Sequence, residues 1–213
     1  QNVSKKHAIV RQLVVVPKGE KIVLLDANSL ELRVLAHYAQ DEKLIEVFRK
    51  GIDPHVYTAT QLYKKEPYQI DASERSVGKT LNYACLYGST ANGLSYNLKI
   101  GPAEASELLR FFYKTYPAIS KLKDKVLADY AEHGYVRSLY GRRRRGDLNE
   151  REAFSALIQG TAADVVKERC VNAMKSLPKN WTLFLQVHDE FGFNVPENEV
   201  VEAMGVLKEV FEQ

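Results

Sequence analysis

The spacing of apolar residues changes period along the chain. Near the start, "RQLVVV" and "KIVLLD" are short β-branched runs joined by the turn "PKGE", which predicts a hairpin whose second strand ends at Asp26. Near the end, "WTLFLQV" and "FGFNV" flank "HDE" and predict a second hairpin, with Val187 through Phe191 at its tip. Between them the period is helical. "NSLELRVLAHYA" reads as a helix capped by Asn28 or Ser29, followed by helices over 42–49, 54–63 and 73–87, the last with Ser73 as N-cap. Pro102 and Pro117 open two more helices, ending near Thr115 and Gly134. "GYVRSLYGRRRRG" reads as a short strand pair or extended turn, Arg151–Leu177 as one long helix, and Glu199 onward as helical again.

Strands at both ends that pair as hairpins, with helices between, predict an α+β fold. The expected assembly is an antiparallel sheet from residues 1–44 and 147–213, backed by two helices, with a mostly helical insertion over 45–146.

Composition adds bounds. The 213 residues suffice for one or two domains with a real core, and 45% hydrophobic with 27% charged residues is globular. A net charge of +3 permits nucleic acid without diagnosing it. Two isolated cysteines, Cys85 and Cys170, argue against a zinc site or disulfide framework and fit core positions in a reduced compartment. No apolar run approaches the roughly 18 residues of a membrane span. The first residues show no signal-peptide pattern and no Met, and the last lie inside a helical pattern, so the chain reads as a piece of a longer one.

The stretch "RSVGKTLNYACLYG" places Arg75, Lys79, Tyr83 and Tyr87 at i, i+4, i+8 and i+12, one helical stripe about 18 Å long. Its two cations come first, where the helix macrodipole favours negative charge. A bound anion would reconcile them with that end. Asp26, Asp189 and Glu190 meet at one edge if the two hairpins are sheet neighbours, and close carboxylates are stabilised by a divalent cation. All-oxygen ligation that leaves room for water and phosphate suits Mg²⁺, and two such ions suit phosphoryl transfer. Alone, each signal has a plainer reading. Asp26 is a turn or cap residue, "HDE" is solvated turn chemistry, the tyrosines are core, and His37 and His55 are partly buried structural histidines.

Three collinear segments resemble the signature motifs of the family A DNA polymerases, the bacterial DNA polymerase I and phage replicase group. "DANSLELR" resembles D-Y-S-Q-I-E-L-R, "RSVGKTLNYACLYG" resembles R-x-x-x-K-x-x-N-F/Y-x-x-x-Y-G, and "QVHDE" resembles the third motif. "DPH", "LYGRRRR" and "REAFSALIQGTAADVVK" resemble connecting segments in the same order, and "QN" at the start resembles a further one. The resemblance implies a palm (1–44 and 147–213) and fingers (45–146). It implies a template-directed DNA polymerase that joins a dNTP to a primer 3′-OH on primer–template DNA, using two Mg²⁺ ions. Asp26, Asp189 and the carbonyl of Ala27 would hold the metals, with Glu190 accessory. Arg75, Lys79 and His55 would meet the triphosphate, and Lys79 would also serve as general acid. Tyr83 would face sugar and base, Glu31 would block the 2′ position, and Tyr87 would lie near the templating pair. His188, Gln159, Arg151, Gln1 and Asn2 would contact primer or duplex.

The chain departs from the pattern at Ala27, Asn28 and Ser29, which replace Y-S-Q, and at Ser155, which replaces an Asn. The segment between Arg145 and Arg151 is short, which points toward a phage or divergent member. The resemblance also implies a monomer in the cytoplasm of a bacterial or virus-infected cell. The alternative is a nucleic-acid-binding fragment without catalysis, because no thumb is present in these residues.

Overall fold

The computed structural model describes residues 15–212, so Gln1 and Asn2 lie outside the described residues, as does most of the first expected strand. The described chain divides into two compact units. One runs through Asn28 and resumes at Ala163; the other is Ser29–Ala162.

In the first unit, β1 (Glu20–Asp26), β4 (Thr182–Val187) and β5 (Glu190–Pro196) form an antiparallel sheet in the order β1-β5-β4. Strand β1 pairs with β5, and of the expected first strand only Val15 and Val16 are described, neither in a strand. Alternation sets the faces. Val23 is buried opposite Phe193, and α9 (Val200–Glu212) brings Ala203, Leu207 and Phe211 to that side. The Phe211 ring lies 4.5 Å from Phe191 and 6.1 Å from Phe193, within the range of favourable aromatic pairing. A buried Trp181 donates its indole N–H to Glu199 at 2.6 Å, tying the start of β4 to the start of α9.

The second unit holds α1 (Leu30–Ala39), α2 (Glu42–Arg49), α3 (Pro54–Tyr63), α4 (Ala72–Leu86), α5 (Ala91–Leu98), α6 (Pro102–Thr115) and α7 (Pro117–His133). It also holds the strand pair β2 (Tyr135–Arg137) and β3 (Arg143–Arg145) and the first part of α8 (Glu150–Ser176). Its core gathers Leu32 and Leu35 of α1, Leu81 and Leu86 of α4, Leu94, Phe112, Ile119, Phe154 and Ile158. Asp41, Asp53, Asp71 and Thr90 each cap a helix through a side-chain oxygen, satisfying amide N–H groups that the first turn leaves unpaired.

One helix start and one whole helix differ from the sequence reading. Helix α4 starts at Ala72 with Asp71 as cap, because Asp71 and Glu74 form a reciprocal capping box that Ser73 has no partner to make. Helix α5 was not anticipated, since "ANGLSYNL" carries a glycine and little periodicity; its Thr90 cap and the buried Leu94 hold it. Helices α3 and α4 approach closely at Gly78. A Cβ there would lie 2.4 Å from the His55 carbonyl oxygen, so only glycine fits this spacing.

Candidate functional site

In the first unit, the β1–β5 ladder ends with Asp26 opposite Glu190. Beyond it, the Ala27 N–H donates to the Asp189 carbonyl at 3.2 Å, extending the pairing into the turn. Val187 pairs with Glu190, so the tip is only His188–Asp189, and Glu190 belongs to the strand rather than to the tip. His188 adopts a left-handed backbone (φ 54), uncommon for a non-glycine residue, and its carbonyl accepts from Gln186 Nε2 at 2.7 Å. Asp26 and His188 are exposed, whereas Asp189 and Glu190 are half-buried. Burial raises the Asp189 carboxyl above its usual range. The Asp26 charge adds to the rise, against lowering by its own backbone N–H and His188. Among the described residues, no group of three or more His, Cys, Asp or Glu side chains is arranged to hold a metal. What the ladder provides is a pair of mutually repelling carboxylates. Such a donor set fits Mg²⁺, which takes one or two carboxylates and fills its octahedron with water and phosphate oxygens.

In the second unit, α4 displays the cationic stripe. Arg75 and Lys79 are exposed, and Tyr83 and Tyr87 are half-buried. The helix ends at Leu86, so Tyr87 is its C-cap rather than its last turn, yet its ring still stacks on Tyr83 at 5.9 Å and 25°. Lys79 Nζ lies 5.9 Å from the Tyr83 ring centroid. The acidic first turn of α4, Asp71 and Glu74, already complements the dipole. Arg75 reaches back to Asp53 with bonds of 2.8 and 2.6 Å to one carboxylate oxygen. Burial acts to raise the Asp53 carboxyl, but Arg75 and the amides of His55 and Val56 outweigh it and hold it below the usual range.

His55 is buried beside Tyr83, with ring centroids 5.6 Å apart. Burial lowers its imidazole to about 4, and Arg75 and Lys79 reinforce this against Asp53. His55 is therefore neutral at pH 7. His37, expected to be partly buried, is exposed. Glu31, near the start of α1, accepts a hydrogen bond from the Tyr87 hydroxyl. Gly88, in the left-handed region (φ 64), lies against the Arg151 backbone: a Cβ there would sit 3.4 Å from the Arg151 Cα. Thus Glu31, Tyr87 and Arg151 border one turn. Gln159 is exposed two turns further along α8. Of the Arg142–Arg145 run, Arg142 donates to the Gly160 carbonyl at 2.7 Å and Arg143 lies over the Tyr135 ring at 4.7 Å.

Sequence reading assigned no role to Asp53, Asn82, Thr58 or Tyr116. Asp53 was visible as an Asp before a helix-opening proline. Asn82 was visible as a buried-face asparagine in mid-helix, where its propensity is poor and a specific partner is the usual reason.

A family model described as DNA polymerase family A matches residues 1–213. The chain is 39% identical to DNA polymerase I of Chloroflexus aurantiacus over 94% of its length, and 36% identical to the thermostable DNA polymerase I of Thermus filiformis over 95%. It spans 23% and 26% of those relatives, respectively. Its fold matches the POL domain of Pol1 from M. smegmatis, solved in complex with DNA primer-template and dNTP. The TM-score is 0.90 at 28% identity, covering 99% of this chain and 40% of that one.

Proposed function

Because the chain belongs to DNA polymerase family A, we propose that it carries nucleotidyl transfer from a dNTP to a primer 3′-OH on primer–template DNA. The carrying observation is the carboxylate pair Asp26 and Asp189 at the end of the β1–β5 ladder, in a chain whose α4 presents Arg75 and Lys79 to solvent. Residues 1–44 and 147–213 form the palm and 45–146 the fingers in this reading.

Asp26, Asp189 and the Ala27 carbonyl would hold two Mg²⁺ ions, with Glu190 beside them, and such ions would supply activation of the attacking hydroxyl and charge neutralisation at the leaving oxygen. Lys79 and Arg75 bind the triphosphate, and His55 joins them. Arg75 exchanges its Asp53 carboxylate for phosphate, a geometry its guanidinium fork matches equally well. Lys79 gives a proton to the departing pyrophosphate. Glu31, held by Tyr87, occupies the space of a ribose 2′-OH, and Tyr83 packs on the sugar. Tyr87, Arg151, Gln159, His188 and Asn2 contact primer or template.

The test is primer extension by the full-length protein carrying Asp26→Asn or Asp189→Asn, alongside equilibrium binding of primer–template. Extension is lost with DNA binding nearly intact, and Glu190→Gln is milder. Wild-type turnover in either Asp variant would sink the assignment. Duplex binding without extension by the unaltered full-length protein would favour a purely nucleic-acid-binding role.

A further inference from the structure

Behind the phosphate-facing groups of α4 lies a closed set of buried hydrogen bonds that the reaction above leaves unused. Asn82 is buried, and every polar atom of its amide is engaged. Its Nδ2 lies 3.1 Å from the Pro54 carbonyl oxygen and 3.1 Å from His55 Nδ1. Its Oδ1 accepts from the Thr58 hydroxyl at 2.8 Å. The Pro54 carbonyl can only accept, so the amide nitrogen must face it, and the same nitrogen then faces His55. The amide has one orientation.

Thr58 in turn is fixed from behind. Its single hydroxyl proton serves the Pro54 carbonyl at 3.0 Å and Asn82 Oδ1. The fully buried Tyr116, 3.0 Å away, must therefore be the donor to Thr58 Oγ1. Burial pushes the Tyr116 phenol well above its ordinary value, so this donor keeps its proton.

We propose that Asn82, held by Pro54 and by the Tyr116–Thr58 chain, positions His55 as the tautomer with its proton on Nε2, so that His55 meets a phosphate oxygen as an uncharged donor. Asn82 is a positioning residue: it acts through His55. A proton added at Nδ1 would set N–H against N–H, and the Asn82 amide cannot turn without setting its own oxygen against the Pro54 carbonyl oxygen. The groups facing His55 agree with this. Arg75 and Lys79 oppose a third positive charge, Asp53 favours one but is occupied by Arg75, and Tyr83 offers a ring face. The consequence is a phosphate contact that neither takes up nor releases a proton when a nucleotide arrives. The functional half of the inference rests on the assignment of His55 to the triphosphate made above.

The test is nitrogen NMR of the imidazoles in isotopically labelled chain, with the His55 signals assigned through His55→Gln. The wild-type ring shows a protonated Nε2 and a bare Nδ1 at neutral pH. In Asn82→Asp the carboxylate accepts from Nδ1, and the ring becomes a cation with both nitrogens protonated. A wild-type proton on Nδ1, which needs no variant to detect, would overturn the proposal. So would a folded Asn82→Asp protein whose ring matches wild type. The second arm measures dNTP Kd on the full-length protein with a dideoxy-terminated primer–template. Asn82→Asp gains a pH dependence that wild type lacks, about threefold or more, with affinity falling as pH rises through the new imidazolium value. Unchanged Kd in His55→Ala overturns the triphosphate role of His55 itself, while the NMR arm decides the tautomer independently.

Discussion

Arg75 donates two hydrogen bonds, from Nε at 2.8 Å and Nη2 at 2.6 Å, to the single oxygen Oδ2 of Asp53. The other carboxylate oxygen caps α3 through the amides of His55 at 2.7 Å and Val56 at 3.2 Å. One side chain thus sets a helix start and holds a cation of the next helix in place. The two functions separate by substitution. Asp53→Asn keeps a capping oxygen and loses the ion pair, which at this exposure is worth about 0–1 kcal/mol. Asp53→Ala loses the cap as well, for about 0.5–2 kcal/mol more. Urea unfolding of both variants checks the order, and equal losses would mean that the cap contributes nothing. The folded carboxyl lies below its ordinary 3.8, so its contribution is complete above that value and disappears as pH falls through the lower folded value.

His55 acts in the same direction, over a higher pH window. Its folded value of about 4 lies below the ordinary 6.5, so between these the unfolded chain binds a proton that the folded chain refuses. Stability therefore falls as pH drops from about 6.5 to about 4. His55→Gln flattens that slope. Urea midpoints measured across this window test it, and an identical slope in the variant would mean that His55 titrates alike in the folded and unfolded chain.

Much of this was legible from residue types. Asp26 at a strand end, the i+4 stripe and the "HDE" turn each marked a position that the structure keeps. Helix starts at Pro54, Pro102 and Pro117 appear as read, because proline fixes φ and needs no partner at N1. The two ends were legible as one sheet, but the register that sets Asp26 opposite Glu190 was not: the two lie 164 residues apart, and local turn chemistry carries no information at that separation. Nor was the role of Asn82. Its partners Thr58, His55 and Pro54 lie 24, 27 and 28 residues away, and a sequence window shows a buried asparagine without showing what satisfies it. The Asp71 cap is legible in the D-x-x-E spacing to Glu74, which Ser73 lacks.

The repulsion between Asp26 and Asp189 is itself measurable. Removing one charge relieves it, so Asp189→Asn raises the thermal midpoint at pH 7, by about 1 °C for a few tenths of a kcal/mol in a chain of this size. Mg²⁺ does the same for wild type by binding the pair, and the variant does not respond to it. Differential scanning with and without Mg²⁺ reads both effects. A variant that still gains stability from Mg²⁺ as wild type does would place the ion elsewhere.

Glu31 and Tyr87 are joined directly, so their effects on sugar choice are coupled. Glu31→Ala opens the 2′ space and raises ribonucleotide use relative to deoxyribonucleotide, by about ten- to a hundredfold in the ratio of kcat/KM values. Tyr87→Phe leaves Glu31 in place but without its donor and gives a smaller rise. In the double variant the Tyr87 effect vanishes, because there is no carboxylate left to hold. Additive effects in that cycle would show that the hydrogen bond has no part in selection.

Tyr83 stands between the cations and Tyr87, with His55 at 5.6 Å on one side and the Tyr87 ring at 5.9 Å on the other. It follows Lys79 by one turn, so a nucleotide whose phosphates meet Arg75 and Lys79 brings its sugar to this ring. A dNTP supplies a 3′-OH that bonds within the site. A dideoxynucleotide lacks it and leaves a polar gap among buried groups. The Tyr83 phenol can fill that gap with its own hydroxyl, whereas a Phe ring cannot. An unsatisfied buried partner costs about 1–3 kcal/mol, or about five- to more than a hundredfold in selectivity. The protein therefore accepts dideoxynucleotides readily, and Tyr83→Phe rejects them while hardly altering dNTP use. The ratio of kcat/KM for ddNTP over dNTP, measured on full-length wild type and variant, decides the matter. Equal ratios would mean that the ring does not face the sugar and that the nucleotide lies in another register along α4.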